Sequence, residues 1–160
     1  MYRMILVPVD RSQRAAGAVA AAFELARHEP GARVTLLHVV EIIKDTTYDD
    51  YRDFYDALAA QAKSEMDALL RPYDDGRVVD GRVVDGGLVD GAPVDGAPVF
   101  ETVVVFGRRV EEILRVAEER AYDLIVLQSH RIDREEPTRG WGTISHRVGL
   151  LADCPVLLVK

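Results

Sequence analysis

Two stretches near the end of the chain decide the predicted fold: DLIVLQSHR at residues 123–131 and GTISHRVGLLADCPVLLVK at residues 142–160. The first holds a continuous apolar run ending at Leu127, as expected of a parallel strand buried on both faces. Polar residues follow at once, so they lie at the carboxyl end of that strand, where open α/β sheets bind ligands. In the second stretch, Pro155 separates a helical segment from a final apolar strand, Val156–Val159.

The order strand, polar loop, glycine-led helix and strand is typical of half of a nucleotide-binding βαβ fold. The helix opens at Gly142-Thr143, and its first N–H groups have no partner inside the helix. Together with the positive end of the helix dipole, these groups favour an anion, and the Thr143 and Ser145 hydroxyls are close by. Any doubly wound domain can end in this way, so the pattern alone leaves a purely structural origin open.

Composition narrows the class of protein. A chain of 160 residues is expected to form one domain with a sizeable core. We expect a cytoplasmic protein, because no apolar run approaches the roughly 20 residues that cross a bilayer and no signal peptide is recognisable. The net charge of −7 argues against nucleic acid and anionic membranes as main partners, and no membrane insertion is expected. Cys154 is the sole cysteine, which excludes an internal disulfide, and we interpret it as a packing residue.

Further apolar runs at residues 4–9, 34–40 and 102–106 alternate with helical patterns, which predicts a doubly wound α/β fold. Its parallel sheet would carry helices on both faces. Asp10 follows the first strand, either as a turn or capping residue or as a ligand to a base or ribose. His38 lies inside the second strand, where a satisfied core histidine is the favoured interpretation.

Residues 75–99 form five pentads of the pattern DGxxV. Asp-Gly between valines is a hairpin signal, but the period leaves strands too short to stand alone. We interpret the segment as a repeat-expanded surface loop. A cation or partner site on its aspartates and self-association through its valines are the alternatives.

Motifs along nearly the whole chain resemble the universal stress protein family. They are VPVDRS at 7–12, LLHVV at 36–40, FGRRVEEIL at 106–114, DLIVLQSH at 123–130, and GTIS with CPVLLV near the C-terminus. The resemblance implies a single domain over residues 1–160, with the pentads as an insertion. It also implies a Rossmann-like, five-stranded parallel sheet in the order 3-2-1-4-5, of the adenine nucleotide alpha hydrolase-like type. A homodimer is expected, and Val156–Val159, an apolar strand at the sheet edge, is the predicted interface.

The family's nucleotide signature is only partly present. ATP-binding members carry Gly-x-x-Gly, nine residues, then Gly followed by Ser or Thr. Here Gln128 and Arg131 stand in the two glycine positions, and ten residues separate Arg131 from the retained pair Gly142-Thr143. Gln128 can obstruct the close approach of backbone to ligand, whereas Arg131 can donate to phosphate. Carboxylates at Asp133, Glu135 and Glu136 would repel phosphates unless a divalent ion bridges them.

The resemblance nevertheless assigns a nucleotide site. Adenine and ribose contacts fall on one group of residues: Pro8, Val9, Asp10 and Val39, with Leu127 and Gln128 beneath the nucleoside. The phosphate side falls on a second group: His130, Arg131, Gly142, Thr143, Ile144 and Ser145. The implied ligand is ATP or another adenine nucleotide, with Mg²⁺ left open as its counter-ion. No catalytic residue and no protein metal ligand is assigned.

Two functions compete. The first is an adenine-nucleotide-binding stress-response or regulatory protein that acts as a dimer and signals to an unidentified protein partner. The alternative is a nucleotide-free dimeric interaction module of the same fold. An enzyme is disfavoured because the chain has no Walker A lysine and no adenylylation or pyrophosphatase motif. Slow autophosphorylation or ATP hydrolysis is the only activity left open.

Overall fold

A five-stranded parallel sheet in the order β3-β2-β1-β4-β5 forms the centre of the protein. The computed structural model describes residues 2–10, 15–73, 98–129, 135 and 143–160. Its strands are β1 (Met4–Pro8), β2 (Arg33–Glu41), β3 (Val99–Gly107), β4 (Leu124–Gln128) and β5 (Val156–Val159). The predicted fold class and strand order are confirmed.

Helices cover both faces of the sheet. They are α1 (Ala16–Ala26), α2 (Arg52–Leu70), α3 (Arg109–Glu119) and α4 (Ile144–Leu151). Successive residues of a strand point to opposite faces, so Ile5 packs in the core under α1 and α2, and Leu6 packs in the core under α3 and α4. Strands β1 to β4 are mostly buried on both faces, which is why they read as continuous apolar runs, whereas the edge strand β5 is more exposed.

The helical spacing of the apolar residues from Phe54 to Leu69 predicts that Phe54 lies on the buried face of α2, but the structure differs at this position. Phe54 is exposed, whereas Tyr55 is fully buried. The buried position suits the hydroxyl of Tyr55 as well as its ring, because the hydroxyl accepts a hydrogen bond of 2.9 Å from the Ile43 backbone N–H. The helix thus buries an aromatic residue whose polar end has a partner.

Strand β3 begins at Val99 rather than at Thr102, because it pairs with the whole of β2. The added length contains Glu101, a buried carboxylate that the apolar pattern did not predict. Its Oε2 lies 3.3 Å from Arg33 Nη1 and accepts from the Thr35 hydroxyl at 3.2 Å. Its Oε1 lies 3.5 Å from Arg120 Nη1. The charge is compensated from both sides.

Gly107 ends β3 and directs the chain into α3. Its φ of +149° lies in a region that side chains with a Cβ rarely adopt. A Cβ here would also lie 2.8 Å from the side chain of Glu112. The turn at this glycine places Arg109, the first residue of α3, at the carboxyl edge of the sheet.

Two sequence features lie outside the described residues. One is Ser12, whose type and position before the first helix predict an N-cap. The other is the segment 75–97, which includes almost all of the pentads. Of the last pentad, Val99 belongs to β3.

Candidate functional site

A cleft of about 320 Å³ opens at the carboxyl ends of β1 and β4. These two strands are neighbours, but the chain leaves β1 toward β2 on one side and reaches β4 on the other. The cleft therefore lies at the switch point of the sheet, where open α/β folds bind ligands. Its floor is apolar, with Val9 and Leu127 buried beside it, and Asp10 stands exposed at its rim.

The N-terminus of α4 forms one wall of the cleft. Thr143 is the N-cap, and its hydroxyl accepts from the backbone N–H of His146 at 3.3 Å. The backbone N–H groups of Ile144 and Ser145 come before the first bond within the helix. Side-chain hydroxyls stand beside them, since the Ser145 Oγ lies 3.4 Å from both Thr143 Oγ1 and Ser129 Oγ. This wall offers N–H donors, hydroxyls and the positive end of a helix dipole to an anion.

Gln128 lines the cleft, but its amide is engaged in the protein. Its Oε1 accepts from the backbone N–H of Ala18, in the first turn of α1, at 3.1 Å. Its Nε2 donates to the carbonyl oxygen of Val159, in β5, at 3.2 Å. The N-cap residue of α1, Ala15, has no side chain that could cap the helix, so Gln128 supplies a cap from a different strand.

Gly17 allows this arrangement. A Cβ at that position would lie 2.8 Å from Gln128 Oε1, so the helix can approach the amide only because residue 17 is a glycine. The glutamine at the end of β4 is thus matched by a glycine on the facing helix.

His38 belongs to the core, as its position within β2 indicated. It is buried, and its Nδ1 lies 3.0 Å from the carbonyl oxygen of Val9. The contact holds the end of β1 against β2, beneath one end of the cleft. We assign His38 a structural role.

The other end of the cleft is formed by α3. Arg109 and Ile113 line it on successive turns of this helix, and Ala15 and Leu37 complete the wall. None of these four was predicted to belong to the site. Arg109 comes shortly after the end of a strand, as Asp10 does, so the same rule would have found it. The helical spacing of Val110, Ile113 and Ala117 instead predicts a packing role for this helix.

Nine of the predicted site residues line this one cleft. They are Pro8, Val9, Asp10, Val39, Leu127, Gln128, Thr143, Ile144 and Ser145. The remaining three, His130, Arg131 and Gly142, lie outside the described residues. Of the carboxylates at 133, 135 and 136, the described one, Glu135, is exposed.

A separate cavity of about 510 Å³ lies at the opposite edge of the sheet, between α3 and the segment that follows α4. Tyr122 and Cys154 line it. Burial is the main cause that raises the pKa of Cys154 above its ordinary value. The thiol therefore holds less thiolate at neutral pH than a free cysteine, which agrees with a packing role.

The described part of the chain contains no helix long and apolar enough to cross a membrane. Among the same residues, no three histidine, cysteine or acidic side chains are grouped so that they could hold a metal ion.

Comparison with known proteins gives a consistent result. The model of the universal stress protein family matches residues 1–160. The universal stress protein YxiE of Bacillus subtilis is 30% identical over 166 residues, with both chains covered in full.

Solved structures share the fold. The universal stress protein UspA from Lactobacillus plantarum superposes with a TM-score of 0.71 at 23% identity, covering 100% of this chain and 99% of that one. The universal stress protein from Archaeoglobus fulgidus, solved in complex with dAMP, gives a TM-score of 0.58 at 20% identity over 99% and 98% of the chains.

Proposed function

The chain belongs to the universal stress protein family, and from this premise we propose that it is a stress-response protein that binds an adenine nucleotide in the cleft. ATP or ADP is the proposed ligand, with AMP or another adenosine compound as a variant of the same function. The observation that carries the proposal is the convergence of nine residues, assigned from separate motifs, on one cleft at the switch point of the sheet.

The two ends of the cleft suit the two ends of a nucleotide. The wall formed by Thr143, Ile144 and Ser145 offers donors and no carboxylate, as a phosphate requires. The far end is apolar at Val39 and Ile113, as a base requires. Asp10, on the rim between them, is placed to accept from ribose hydroxyls. The ligand would lie across the ends of β1 and β4, with its phosphates toward α4.

The dAMP complex of the Archaeoglobus fulgidus protein supports the class of ligand. In that complex a protein of this fold holds an adenine nucleotide. The present cleft, of about 320 Å³, has donors at one end and apolar side chains at the other, and its volume lies within the usual range of ligand pockets. Mg²⁺ would enter with the phosphates of ATP, whose oxygens are its preferred ligands.

We propose binding rather than catalysis as the activity. The polar side chains on the described walls of the cleft are Asp10, Arg109, Gln128, Thr143 and Ser145. The Gln128 amide is engaged in the protein, and Thr143 caps α4. The nucleotide would then act as a regulatory ligand that alters contacts with another protein.

The alternative function, a nucleotide-free interaction module, has its own observation. Leucines at 150, 151, 157 and 158 are exposed on α4 and β5. Exposed apolar groups beside a sheet edge favour association with another chain. We propose the same homodimer contact, Val156–Val159, for both functions. The two functions differ in whether the protein binds a nucleotide.

The test is to denature freshly purified protein and to analyse the released small molecules by absorbance and chromatography. Release of an adenine nucleotide in proportion to protein supports the proposal. Protein that releases none, and that also gives no binding heat with millimolar Mg-ATP, would instead favour the interaction module.

A further inference from the structure

Arg109 lines the cleft but is not among the nucleotide contacts that the family resemblance implies. It is the first residue of α3, and Gly107 turns the chain so that it faces the carboxyl edge of the sheet. It lines the proposed nucleotide cleft and also an adjoining cavity of about 220 Å³. Asp10 and Val39 line both spaces as well. Arg109 therefore stands on the boundary between the two, at the end of the cleft away from α4.

Its charge distinguishes Arg109 from its surroundings. Among the described residues that line the cleft, it carries the only positive side chain. A cation is expected where phosphate binds, but Arg109 lies at the apolar end of the cleft, beside Val39 and Ile113. In the proposed binding mode that end receives the base.

Glu41 holds the guanidinium at this place. Its Oε2 accepts from Arg109 Nη2 at 2.9 Å, across the gap between the end of β2 and the start of α3. The two side chains are 37% and 54% exposed, and an ion pair so open to water contributes little to folding stability. The contact uses one nitrogen of the guanidinium, whereas Nε and Nη1 carry further donors. Its main consequence is thus to orient the planar group.

We propose that Arg109 holds the base of the bound nucleotide and that Glu41 is the positioning residue that keeps its guanidinium at the cleft. A purine offers ring nitrogens that accept hydrogen bonds and an aromatic face on which a guanidinium stacks. Arg109 can supply both contacts from the edge of the cleft. The assignment rests on the proposed function, because it requires a nucleotide whose phosphates lie at α4.

Calorimetric titration with adenosine tests the assignment, since adenosine has a base and no phosphate. Arg109→Ala is expected to weaken adenosine binding about tenfold, as the loss of one stacked, hydrogen-bonded cation implies. Arg109→Lys is expected to recover only part of the loss, because an ammonium is not planar. Glu41→Ala is expected to weaken binding severalfold, and Glu41→Gln to restore it, since the glutamine oxygen can still accept from Arg109.

The neighbouring arginine provides the control. Arg108 pairs with Glu111 at 3.2 Å, its side chain is 82% exposed, and it lines neither cavity. Arg108→Ala removes the same charge one residue away and is expected to leave adenosine binding unchanged. Circular dichroism and the melting temperature of each variant verify that it is folded.

Four results would overturn the assignment. Equal adenosine affinity in wild type and Arg109→Ala would remove Arg109 from the base while leaving nucleotide binding intact. An Arg109→Ala variant that loses ATP affinity but keeps adenosine affinity would move the contact to phosphate. An equal loss of adenosine affinity in Arg108→Ala would show that the effect comes from net charge and not from a contact of Arg109 with the base. A wild type that binds neither ligand would reject the proposed function, and the role of Arg109 with it.

Discussion

At the scale of single residues, Gln128 shows how a polar side chain at the cleft can be held by the surrounding fold. Its amide joins β4 to the first turn of α1 and to the end of β5. The side chain is therefore a structural tie as well as a wall of the cleft, and Gly17 is the residue that makes room for it. A nucleotide would meet an amide whose oxygen and one N–H are already engaged in the protein.

Replacing Gln128 by alanine is expected to lower the free energy of unfolding by about 1–3 kcal/mol. The Ala18 N–H would lose its acceptor, and the Val159 carbonyl oxygen would lose a donor. Urea denaturation followed by circular dichroism measures the change. Gln61→Ala is the matched control, since Gln61 makes an exposed bond of 3.1 Å to Glu65 and its loss is expected to cost less than about 0.5 kcal/mol. An equal decrease in the free energy of unfolding for the two substitutions would contradict the structural role of Gln128.

At the scale of elements, β3 is anchored by a charge rather than by apolar burial alone. Glu101 is 2% exposed and has an arginine on each side, from the start of β2 and from the end of α3. Tyr122 extends the network, because its hydroxyl donates to Thr35 at 2.7 Å. Burial is the main cause that raises the pKa of Tyr122, so the phenol stays protonated as this donor.

Glu101→Ala is expected to destabilise the protein by about 3–5 kcal/mol, because it leaves two partly buried guanidinium groups without their counter-charge. Thermal or urea unfolding measures the effect. Glu111→Ala provides the comparison, since its pair with Arg108 is exposed and worth at most about 1 kcal/mol. A small effect of Glu101→Ala would show that the network does not anchor β3.

At the scale of the whole molecule, the fold could be predicted because each strand contains a short apolar run bounded by polar residues. That rule located β5 at Val156–Val159 without error. The rule failed at the start of β3, where Glu101 is buried because arginines distant in sequence compensate its charge. Pairing of this kind is set by tertiary structure and leaves no local pattern.

The site was predictable to a similar extent. Asp10, Gln128 and Thr143 were accessible to the rule that ligands bind at carboxyl strand ends and helix N-termini. Arg109 was not predicted, because the apolar spacing of its helix indicates packing against the sheet and not ligand binding. The engagement of Gln128 with Ala18 could not be anticipated, because it depends on the distance between α1 and β4.

The edge position of β5 supports a prediction about assembly. Leu157 and Leu158 are 39% and 40% exposed on this strand, and pairing with a second copy would cover them. Leu158→Lys is expected to convert the dimer to monomer, since like charges would face each other across a two-fold axis. Sedimentation velocity at micromolar concentration measures the state. Leu25→Lys, at a leucine 36% exposed on α1, should remain dimeric. A monomeric wild type would contradict the prediction.

The central claim is that the cleft holds an adenine nucleotide with its phosphates at the N-terminus of α4. Calorimetric titration of wild type and Ser145→Asp with Mg-ATP and with adenosine tests it most directly. Aspartate in the first turn suits the helix dipole, so the fold should be retained. We expect that wild type binds both ligands, and that the variant binds adenosine as before but ATP at least about fivefold more weakly, through a repulsion of roughly 1 kcal/mol or more. Absence of binding heat for both ligands in wild type, or an unchanged ATP affinity in the variant, would contradict it.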